Sequence, residues 1–325
     1  MRPCGSVAEV STIPQSPIAQ APTRDDVERA AATVAPMLAR TPLLSSRTLG
    51  ARLKCELFQR TGSFKARGAL NRITHLTAEE RARGVITISA GNHAQAVAFA
   101  AEQAGTDALV VMWRGASEQK IEATRAYGAT VDLEAADPAR AFERLEQLQA
   151  ETSRTLIHPF DDPLVIAGAG TVGLEIADQA PDVDAVVVPV GGGGLVAGIR
   201  TALAGTNVRV IAVEPELSPA LHAALDADRP TPVDPRSIAD GLNAPFAGRL
   251  PFEICRGIER VRVTEDEIRD AFRFLYERAK LACEPAGAVA AAAWRTGKID
   301  AERPVLVVSG GNVAAETAAA ILAAR

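Results

Sequence analysis

The sequence predicts an α/β fold built on parallel sheets, and two observations support this prediction. Short β-branched runs alternate with Ala-rich helical stretches, and the predicted strands are residues 85–88, 108–112, 185–190, 208–213 and 304–308. Such alternation is typical of parallel βαβ units. The predicted strands are also almost continuously apolar, as strands are when helices cover both faces of a sheet.

Two helix starts carry the capping-box pattern, in which Ser or Thr is followed three residues later by Glu or Gln. Thr77 and Glu80 form one box, and Gly84 stands where that helix would end. Thr264 and Glu267 form the second box. The apolar residues that follow it at helical spacing are Ile268, Ala271, Phe272 and Leu275. Both segments are therefore predicted to be helices.

Composition excludes several classes of partner. The chain has 325 residues, enough for about two domains. Its net charge is −5 and aromatic residues make up 4%, so it lacks the basic surface and the stacking side chains of nucleic-acid-binding proteins. No apolar run approaches the roughly 20 residues that a membrane-spanning helix needs. We therefore expect a globular protein with neither nucleic-acid nor membrane partners.

Cysteine usage and the N-terminus bear on location. The four cysteines are scattered, with neither a CxxC pair nor a zinc-ligand spacing, so no metal site is predicted. Residues 1–22 contain several prolines and lack the apolar core of a signal peptide, so we expect a flexible N-terminal tail. Together these features predict a reducing cytoplasm.

Four segments place Gly or small polar residues directly after an apolar run, which is where α/β proteins build their sites. The first, QRTGSFKARG, has Lys65 at the start of a helix predicted over 66–73. A solvated lysine is the ordinary interpretation of such a residue. The positive end of the helix dipole could instead lower the pKa of Lys65 and make its amine nucleophilic.

The second and fourth segments each follow a predicted strand. In the second, Ser89-Ala-Gly-Asn92, free amides at the helix start can bind a carboxylate, or Ser89 or Asn92 simply caps the helix. In the fourth, Ser309-Gly-Gly-Asn312, the serine can deliver a hydroxyl to a ligand, or the glycines form a turn that caps the last helix. The residues alone leave both alternatives open.

The third segment, PVGGGGLVAG, puts four glycines between a strand and a helix, where bare N–H groups can close around a phosphate. Gly192, Gly194 and Ala197 also fit the dinucleotide fingerprint. Glu214, at the end of the next predicted strand, stands near the position about 20 residues on where a ribose-binding acid is expected. This motif by itself fits either a phosphate site or an NAD-dependent oxidoreductase.

Together the four segments resemble the fold-type II pyridoxal-phosphate enzymes, specifically the threonine/serine dehydratase and serine racemase branch. The strings QRTGSFKARGALN, SAGNHAQ, GGGGL, EPAG and SGGN occur in the family's order from about Thr41 onward. This set displaces the NAD interpretation, because a dehydrogenase requires none of the other strings. The resemblance implies the tryptophan synthase β-like fold and pyridoxal 5'-phosphate as cofactor.

The resemblance also implies contacts to the cofactor. Lys65 forms the Schiff base, Phe64 packs beside the ring, Asn92 hydrogen-bonds the 3-hydroxyl, and Ser309 hydrogen-bonds the pyridine nitrogen. The glycines that hold the phosphate are Gly191, Gly192, Gly193 and Gly194. The residues that match the family's substrate-carboxylate segments are Ser63, Ser89, Gly91 and His93. Two further residues match positions that line the site, Gly241 and Glu284.

The reaction that the resemblance implies is β-elimination from L-threonine or L-serine, giving a 2-oxo acid and ammonia. Lys65, freed when the substrate amine replaces it, takes the Cα proton. The cofactor delocalises the resulting charge. A hydroxyl at the pyridine nitrogen leaves that nitrogen unprotonated, which favours prompt loss of the β-substituent over transamination.

Ala90 helps to separate the two branches. Racemases that resemble this chain carry a serine there as an acid/base on the opposite ring face, so Ala90 favours a dehydratase over a serine racemase. The racemase metal site is also incomplete, since Ala220 stands where a second carboxylate would accompany Glu214. A 3-hydroxyaspartate dehydratase stays an alternative. Arg67 and Arg114 are candidates to meet a second carboxylate, although exposure is the commoner fate of an arginine.

The resemblance further implies two interleaved domains and a homodimer. The large cofactor domain comprises residues 23–83 and 158–325, and the small mobile domain comprises residues 84–157. Lys65 and Ser309 come from the large domain and Asn92 from the small one. Closure of the small domain would therefore exclude water from the site between them.

Overall fold

The computed structural model describes residues 20–324. The tail predicted over residues 1–22 lies almost wholly outside the described residues, and Cys4 lies outside them too. The first helix begins after Thr23, whose hydroxyl accepts from the Asp26 N–H over 3.3 Å in a capping box. Helix and strand alternate from there to the C-terminal end of the described chain, as predicted.

The helices of the described chain are α1 Arg24–Val34, α2 Lys65–Thr74, α3 Ala78–Arg83, α4 Asn92–Ala104, α5 Glu118–Ala126, α6 Pro138–Thr152, α7 Pro163–Gln179, α8 Gly194–Ala202, α9 Ala220–Asp226, α10 Arg249–Ile254, α11 Glu265–Phe274, α12 Pro285–Arg295 and α13 Ala315–Ala323. Short 3₁₀ turns cover Glu56–Phe58, Arg60–Gly62 and Asp240–Leu242, and a π-helical turn covers Leu275–Ala279. Both predicted capping boxes are confirmed, at Thr77 and Thr264.

The strands of the described chain are β1 Leu43–Ser46, β2 Ala51–Cys55, β3 Val85–Ile88, β4 Ala108–Trp113, β5 Thr130–Ala135, β6 Thr155–Leu156, β7 Ala185–Pro189, β8 Arg209–Pro215, β9 Glu259–Val263 and β10 Pro304–Val308. The five predicted strands are all present. The sequence did not predict β1, β5 or β9, which are edge strands that carry polar residues on a partly exposed surface. It also did not predict β6, which has only two residues, or the interior strand β2, whose apolar run is interrupted by Arg52 and Lys54.

In the described chain the strands form two sheets. A six-stranded sheet has the order β1-β2-β10-β7-β8-β9, and a four-stranded sheet has the order β5-β4-β3-β6. Neighbouring strands are parallel except for the antiparallel β1–β2 pair. The predicted α/β fold with parallel sheets is therefore confirmed, with β1 as the exception.

The order in which the chain builds the two sheets positions the site. The four-stranded sheet is built wholly from chain that lies between β2 and β7, so the chain leaves the six-stranded sheet after β2 and returns at β7. The central strands β7 and β10 are buried along their whole length. Because parallel strands end at one edge, the segments that follow β7 and β10 lie side by side.

Within residues 20–324, no helix combines the length and the apolar character needed to cross a lipid bilayer.

Candidate active site

Lys65 is the first residue of α2, and its amine points toward the loop that follows β6. Its ammonium donates to the Pro159 carbonyl over 2.7 Å and lies 5.2 Å from the centroid of the Phe64 ring. The surrounding protein desolvates the ammonium and lowers the pKa of Lys65 to about 8. From the sequence, a pKa lowered by the helix dipole was one of two alternatives for Lys65, the other being a solvated lysine; in the structure the pKa is lowered, and the cause is burial. A neutral, nucleophilic amine is thus accessible near neutral pH.

Backbone hydrogen bonds join the Lys65 segment to the carboxyl end of β10. Ser63 and Gly310 form an antiparallel bridge, and the Phe64 N–H donates to the Ser309 carbonyl over 3.1 Å. Ser63 is wholly buried, yet its Oγ has no hydrogen-bond partner among the described residues. A buried hydroxyl without a partner is costly, so this atom is a position where a ligand group would bind.

The glycine loop, residues 191–194, leaves no room for side chains. A Cβ on Gly192 would lie 2.3 Å from the Phe160 ring, and one on Gly193 would lie 2.6 Å from Pro251. Gly193 also has φ +93°, a left-handed conformation that favours glycine. The other two glycines of the loop, Gly191 and Gly194, are similarly enclosed. The loop leads directly into α8, whose first N–H groups lack intrahelical partners and can bind an anion.

Asn92, Gly241 and Glu284 meet at one place although they are far apart in sequence. The Asn92 Nδ2 donates to the Glu284 Oε1 over 2.7 Å. A Cβ on Gly241 would lie 3.5 Å from that Oε1 and 3.7 Å from the Asn92 Nδ2. Burial, and then the charge of Asp240, raises the pKa of Glu284 to about 8. The structure therefore brings these three predicted residues together.

Helix α4 begins without a side-chain cap. Gly91 is its N-cap, so the alternative in which Ser89 or Asn92 caps the helix is wrong. The Ser89 Oγ instead accepts from the Gly91 N–H over 3.2 Å. A Cβ on Gly91 would meet nothing within 4 Å, so this turn faces open space. The first amides of α4 are thus available to a carboxylate.

His93 is buried, and its ring lies on the inner side of α4. Its Nε2 lies 3.0 Å from the Ile157 carbonyl, which can only accept, so Nε2 carries the proton. Burial, and then the charge of Lys65, lowers the pKa of His93 to about 3. The remaining Nδ1 is an acceptor without a partner in the described chain. A neutral ring of this kind does not attract a carboxylate, so the N–H of the His93 backbone is the group that could.

The turn after β10 does not cap the last helix. Helix α13 begins at Ala315 after Ala314, so the alternative that assigned the glycines of Ser309-Gly-Gly-Asn312 to its cap is wrong. The turn packs instead against the Lys65 segment: the Gly311 N–H donates to the Gly62 carbonyl over 2.9 Å. Ser309 is buried at the end of β10, in the same group of loops.

Sequence reasoning missed Pro159, Phe160 and Asn312. The first two follow β6, which has only two residues, so no strand was predicted ahead of them. Phe160 packs against the glycine loop, and the Pro159 carbonyl accepts from Lys65. Asn312 belongs to the Ser309-Gly-Gly-Asn312 motif, in which only the serine was predicted to contact a ligand.

Glu214 is not available to a ribose. It is fully buried, and its carboxylate accepts from the N–H groups of Leu221 and His222 over 2.7 and 2.8 Å, and contacts the His222 ring. These bonds stabilise the start of α9. The NAD alternative thereby loses the acidic residue on which it depended.

Arg67 is buried, so its expected exposure is wrong. Its guanidinium donates to both carboxylate oxygens of Glu56 over 2.8 and 2.9 Å, and to Glu175 over 2.7 Å. Lys54, also buried, pairs with Glu175. This buried charge cluster, Lys54, Glu56, Arg67 and Glu175, ties α2 to α7 and leaves Arg67 unable to bind a substrate carboxylate. The second candidate, Arg114, is exposed.

Comparison with known proteins identifies the family. The family model described as "Pyridoxal-phosphate dependent enzyme" matches residues 34–311. The chain belongs to this family. This pyridoxal-phosphate enzyme is 45% identical to an L-threonine ammonia-lyase of Thermotoga maritima over 304 residues, 90% of this chain and 76% of the relative.

Solved structures of the family agree. A maize serine racemase superposes with a TM-score of 0.86 at 36% identity, covering 92% of this chain and 96% of the racemase. A serine racemase from Dictyostelium discoideum superposes with a TM-score of 0.84 at 36% identity, covering 90% of this chain and 99% of that one. A solved threonine deaminase superposes with a TM-score of 0.85 at 40% identity, again covering 90% of this chain and 99% of the deaminase. The expected fold-type II architecture is therefore confirmed.

The residues of this pyridoxal-phosphate enzyme fit its cofactor. The amine of Lys65, with its lowered pKa, can hold the cofactor covalently. The glycine loop, where a Cβ would clash, can hold the phosphate. The Oγ of Ser63, which has no partner among residues 20–324, can donate to a bound carboxylate. Individual contacts of Phe64, Asn92 and Ser309 with the cofactor stay predictions.

Proposed function

We propose that this enzyme is an L-threonine/L-serine ammonia-lyase. The observation that carries the proposal is that Lys65, the glycine loop and Ser309 converge at the carboxyl ends of β7 and β10, facing the first turn of α4. That grouping fits an amino acid whose amine meets Lys65 and whose carboxylate meets α4. The relatives named for threonine deamination support the choice of a β-hydroxy substrate.

Lys65 is the proposed base. When bound, pyridoxal phosphate supplies a conjugated electron sink for negative charge at the substrate Cα. A lysine whose amine is desolvated can take the Cα proton near neutral pH, because less free energy is needed to keep the amine neutral. The Pro159 carbonyl, which accepts from the Lys65 Nζ, orients the amine.

The proposed substrate contacts hold the carboxylate. The hydroxyl of Ser63 and the N–H groups of Asn92 and His93 in the first turn of α4 provide donors to it. With the carboxylate held there, the substrate loses water from Cα and Cβ, and the released enamine takes up water to give the 2-oxo acid and ammonia. For L-threonine the net products are 2-oxobutyrate and ammonia, because the water lost in the elimination is taken up again when the enamine is hydrolysed.

Ala90 supports elimination over racemisation. Its methyl group cannot donate or accept a proton, so Lys65 is left as the only proposed acid/base at Cα. Because serine racemases are among the similar solved structures, racemisation is the second activity to be measured.

The proposed cellular setting follows the sequence expectations. We propose a cytoplasmic homodimer with a mobile small domain over residues 84–157. Within the described chain Cys55, Cys255 and Cys283 are buried and form no disulfide, which accords with a reducing compartment.

The test is 2-oxo acid formation by the purified holoenzyme from L-threonine, L-serine, D-serine and the 3-hydroxyaspartates. We expect turnover of L-threonine and L-serine, and its loss in Lys65→Ala but not in the surface control Lys298→Ala. Product only from a hydroxyaspartate would overturn the proposed substrate. Conversion of L-serine to D-serine without oxo acid would overturn elimination in favour of racemisation.

A further inference from the structure

Asn312 connects two segments of the active site that no other side-chain hydrogen bond joins in the described chain. Its Nδ2 donates to the Thr61 carbonyl over 2.7 Å and to the Asn92 Oδ1 over 2.8 Å. Thr61 lies just before Lys65, whereas Asn92 begins α4 in the part of the chain that forms the four-stranded sheet. Asn312 therefore bridges the two sheets at the site.

The partners of Asn312 determine which way two amides face. A backbone carbonyl can only accept, so Asn312 must present its NH₂ to Thr61. The second hydrogen of that NH₂ points at Asn92, which must then present its Oδ1. The NH₂ of Asn92 is left facing Glu284 and the interior of the site. One hydrogen of that NH₂ binds the Glu284 Oε1, and the other remains for a ligand.

The local backbone is shaped around the Asn312 amide. Gly62 has φ +72°, and a Cβ there would lie 2.5 Å from the Asn312 Oδ1. Thr61, a β-branched residue, has φ +61°, a conformation that costs free energy and needs compensation. The bond from Asn312 to the Thr61 carbonyl is the compensating contact. Two unusual residues thus accommodate one side chain, which indicates that its position matters.

We propose that Asn312 is a positioning residue that fixes the amide of Asn92 with its NH₂ toward the cofactor's ring hydroxyl. This inference rests on the proposed function and on the contact with the cofactor's 3-hydroxyl that the family resemblance implies for Asn92. A donor there stabilises the ionised form of the hydroxyl, whereas a carbonyl oxygen would disfavour it. Asn312 thus acts on the cofactor through Asn92 and without touching it.

The test replaces Asn312 by a side chain of the same shape that cannot donate. In Asn312→Asp, the Asn92 amide is expected to turn, so that its oxygen faces the cofactor hydroxyl. We expect the pH midpoint of the bound cofactor's visible absorption band to rise by about one unit, and cofactor binding to weaken about tenfold. Asn71→Asp is the matched control, since Asn71 is a buried amide on α2 whose Nδ2 donates to the Leu164 carbonyl, away from Asn92.

The Asn92→Ala variant separates the positioning role of Asn312 from the contact of Asn92 with the cofactor. It should shift the band by itself, and adding Asn312→Asp to it should produce no further shift. If Asn92→Ala shifts the band but Asn312→Asp leaves it in place, Asn312 has only a structural role and the inference is wrong. If Asn92→Ala leaves both band and affinity unchanged, the proposed contact of Asn92 with the cofactor fails. Should Asn312→Asp not fold, Asn312→Ala removes the same donors without adding charge and has the same expected outcomes.

Discussion

The ammonium of Lys120 on α5 forms an ion pair with the carboxylate of Asp240, in the turn that carries Gly241. Helix α5 connects β4 and β5 of the four-stranded sheet, whereas the Asp240 turn lies in the chain between β8 and β9 of the six-stranded sheet. The Lys120 side chain is 18% exposed and that of Asp240 is 53% exposed. The pair therefore links the two parts of the molecule beside the active site.

Breaking this ion pair should affect substrate binding more than stability. In Lys120→Met, the free energy of unfolding is expected to change by less than about 1 kcal/mol, because half-exposed ion pairs contribute little. KM should rise about fivefold, the effect of losing about 1 kcal/mol of alignment between the two sheets. Urea unfolding and steady-state kinetics measure the two quantities. Arg125→Met, which breaks an exposed pair within α5, is the control and should leave KM unchanged.

Adding one methyl group to the glycine loop should weaken cofactor binding. In Gly192→Ala, the new Cβ would start 2.3 Å from the Phe160 ring, so the loop must shift. We expect at least a tenfold higher dissociation constant for pyridoxal phosphate, because even about 1.4 kcal/mol of displaced amide contacts produces that factor. Fluorescence titration of the cofactor-free protein measures it.

A matched glycine and a second-site change serve as controls. Gly205→Ala adds a methyl group in open space at φ +78°, so it costs some stability but should leave cofactor affinity unchanged. Adding Phe160→Ala to Gly192→Ala should recover part of the affinity by removing the clash. Equal affinity in Gly192→Ala and the wild type would contradict the phosphate-binding role of the loop.

Attachment of the cofactor should accelerate as pH rises through about 8. Only the neutral amine of Lys65 is nucleophilic, and burial lowers its pKa from 10.5 to about 8. Since this pKa is lowered, the neutral fraction increases with pH across that range and not near 10.5. Stopped-flow absorbance of the cofactor-free protein mixed with pyridoxal phosphate measures the rate. A rate that keeps climbing to about pH 10 would show that burial does not lower this pKa.

The buried charge cluster should be far more important for stability than any exposed pair. Arg67→Met leaves the buried carboxylate of Glu56 without its ion-pair partner and leaves Glu175 with Lys54 alone, which is expected to cost about 3–5 kcal/mol. Arg40→Met breaks an exposed pair with Asp178 and should cost less than about 1 kcal/mol. Urea unfolding of the cofactor-free variants compares them. Similar losses in both variants would contradict the assigned burial of the cluster.

Most strands that build the core could be predicted because their apolar runs are continuous, whereas the interior strand β2 was not predicted because Arg52 and Lys54 interrupt its apolar run. Strands β3, β7 and β10 are buried along their whole length, so their composition alone distinguishes them. The edge strands β5 and β9 are partly exposed and mix polar with apolar residues, so no pattern marked them. The antiparallel pairing of β1 likewise depends on a partner that the local sequence does not indicate.

Buried charges escaped prediction for a different reason. Arg67 looks like any helical arginine, and only its distant partners Glu56 and Glu175 make burial tolerable. The position of Glu214 in the sequence fitted that of a ribose-binding acid, whereas in the structure its carboxylate accepts from the N–H groups of α9. In both cases the deciding contact is made by residues that fold back from elsewhere in the chain.

The sequence by itself determined the α/β class, the main strands, two capping boxes and the motifs that identify the family, because each depends on residues close together in the chain. Only the tertiary structure decided which polar groups face one another. The Ser63 hydroxyl that lacks a partner in the described part of the chain, the Phe160 ring against the glycine loop and the Asn312 bridge to Asn92 each arise where segments distant in sequence meet. Hydrogen-bond direction and desolvation depend on the three-dimensional surroundings of an atom, and a linear pattern does not carry them.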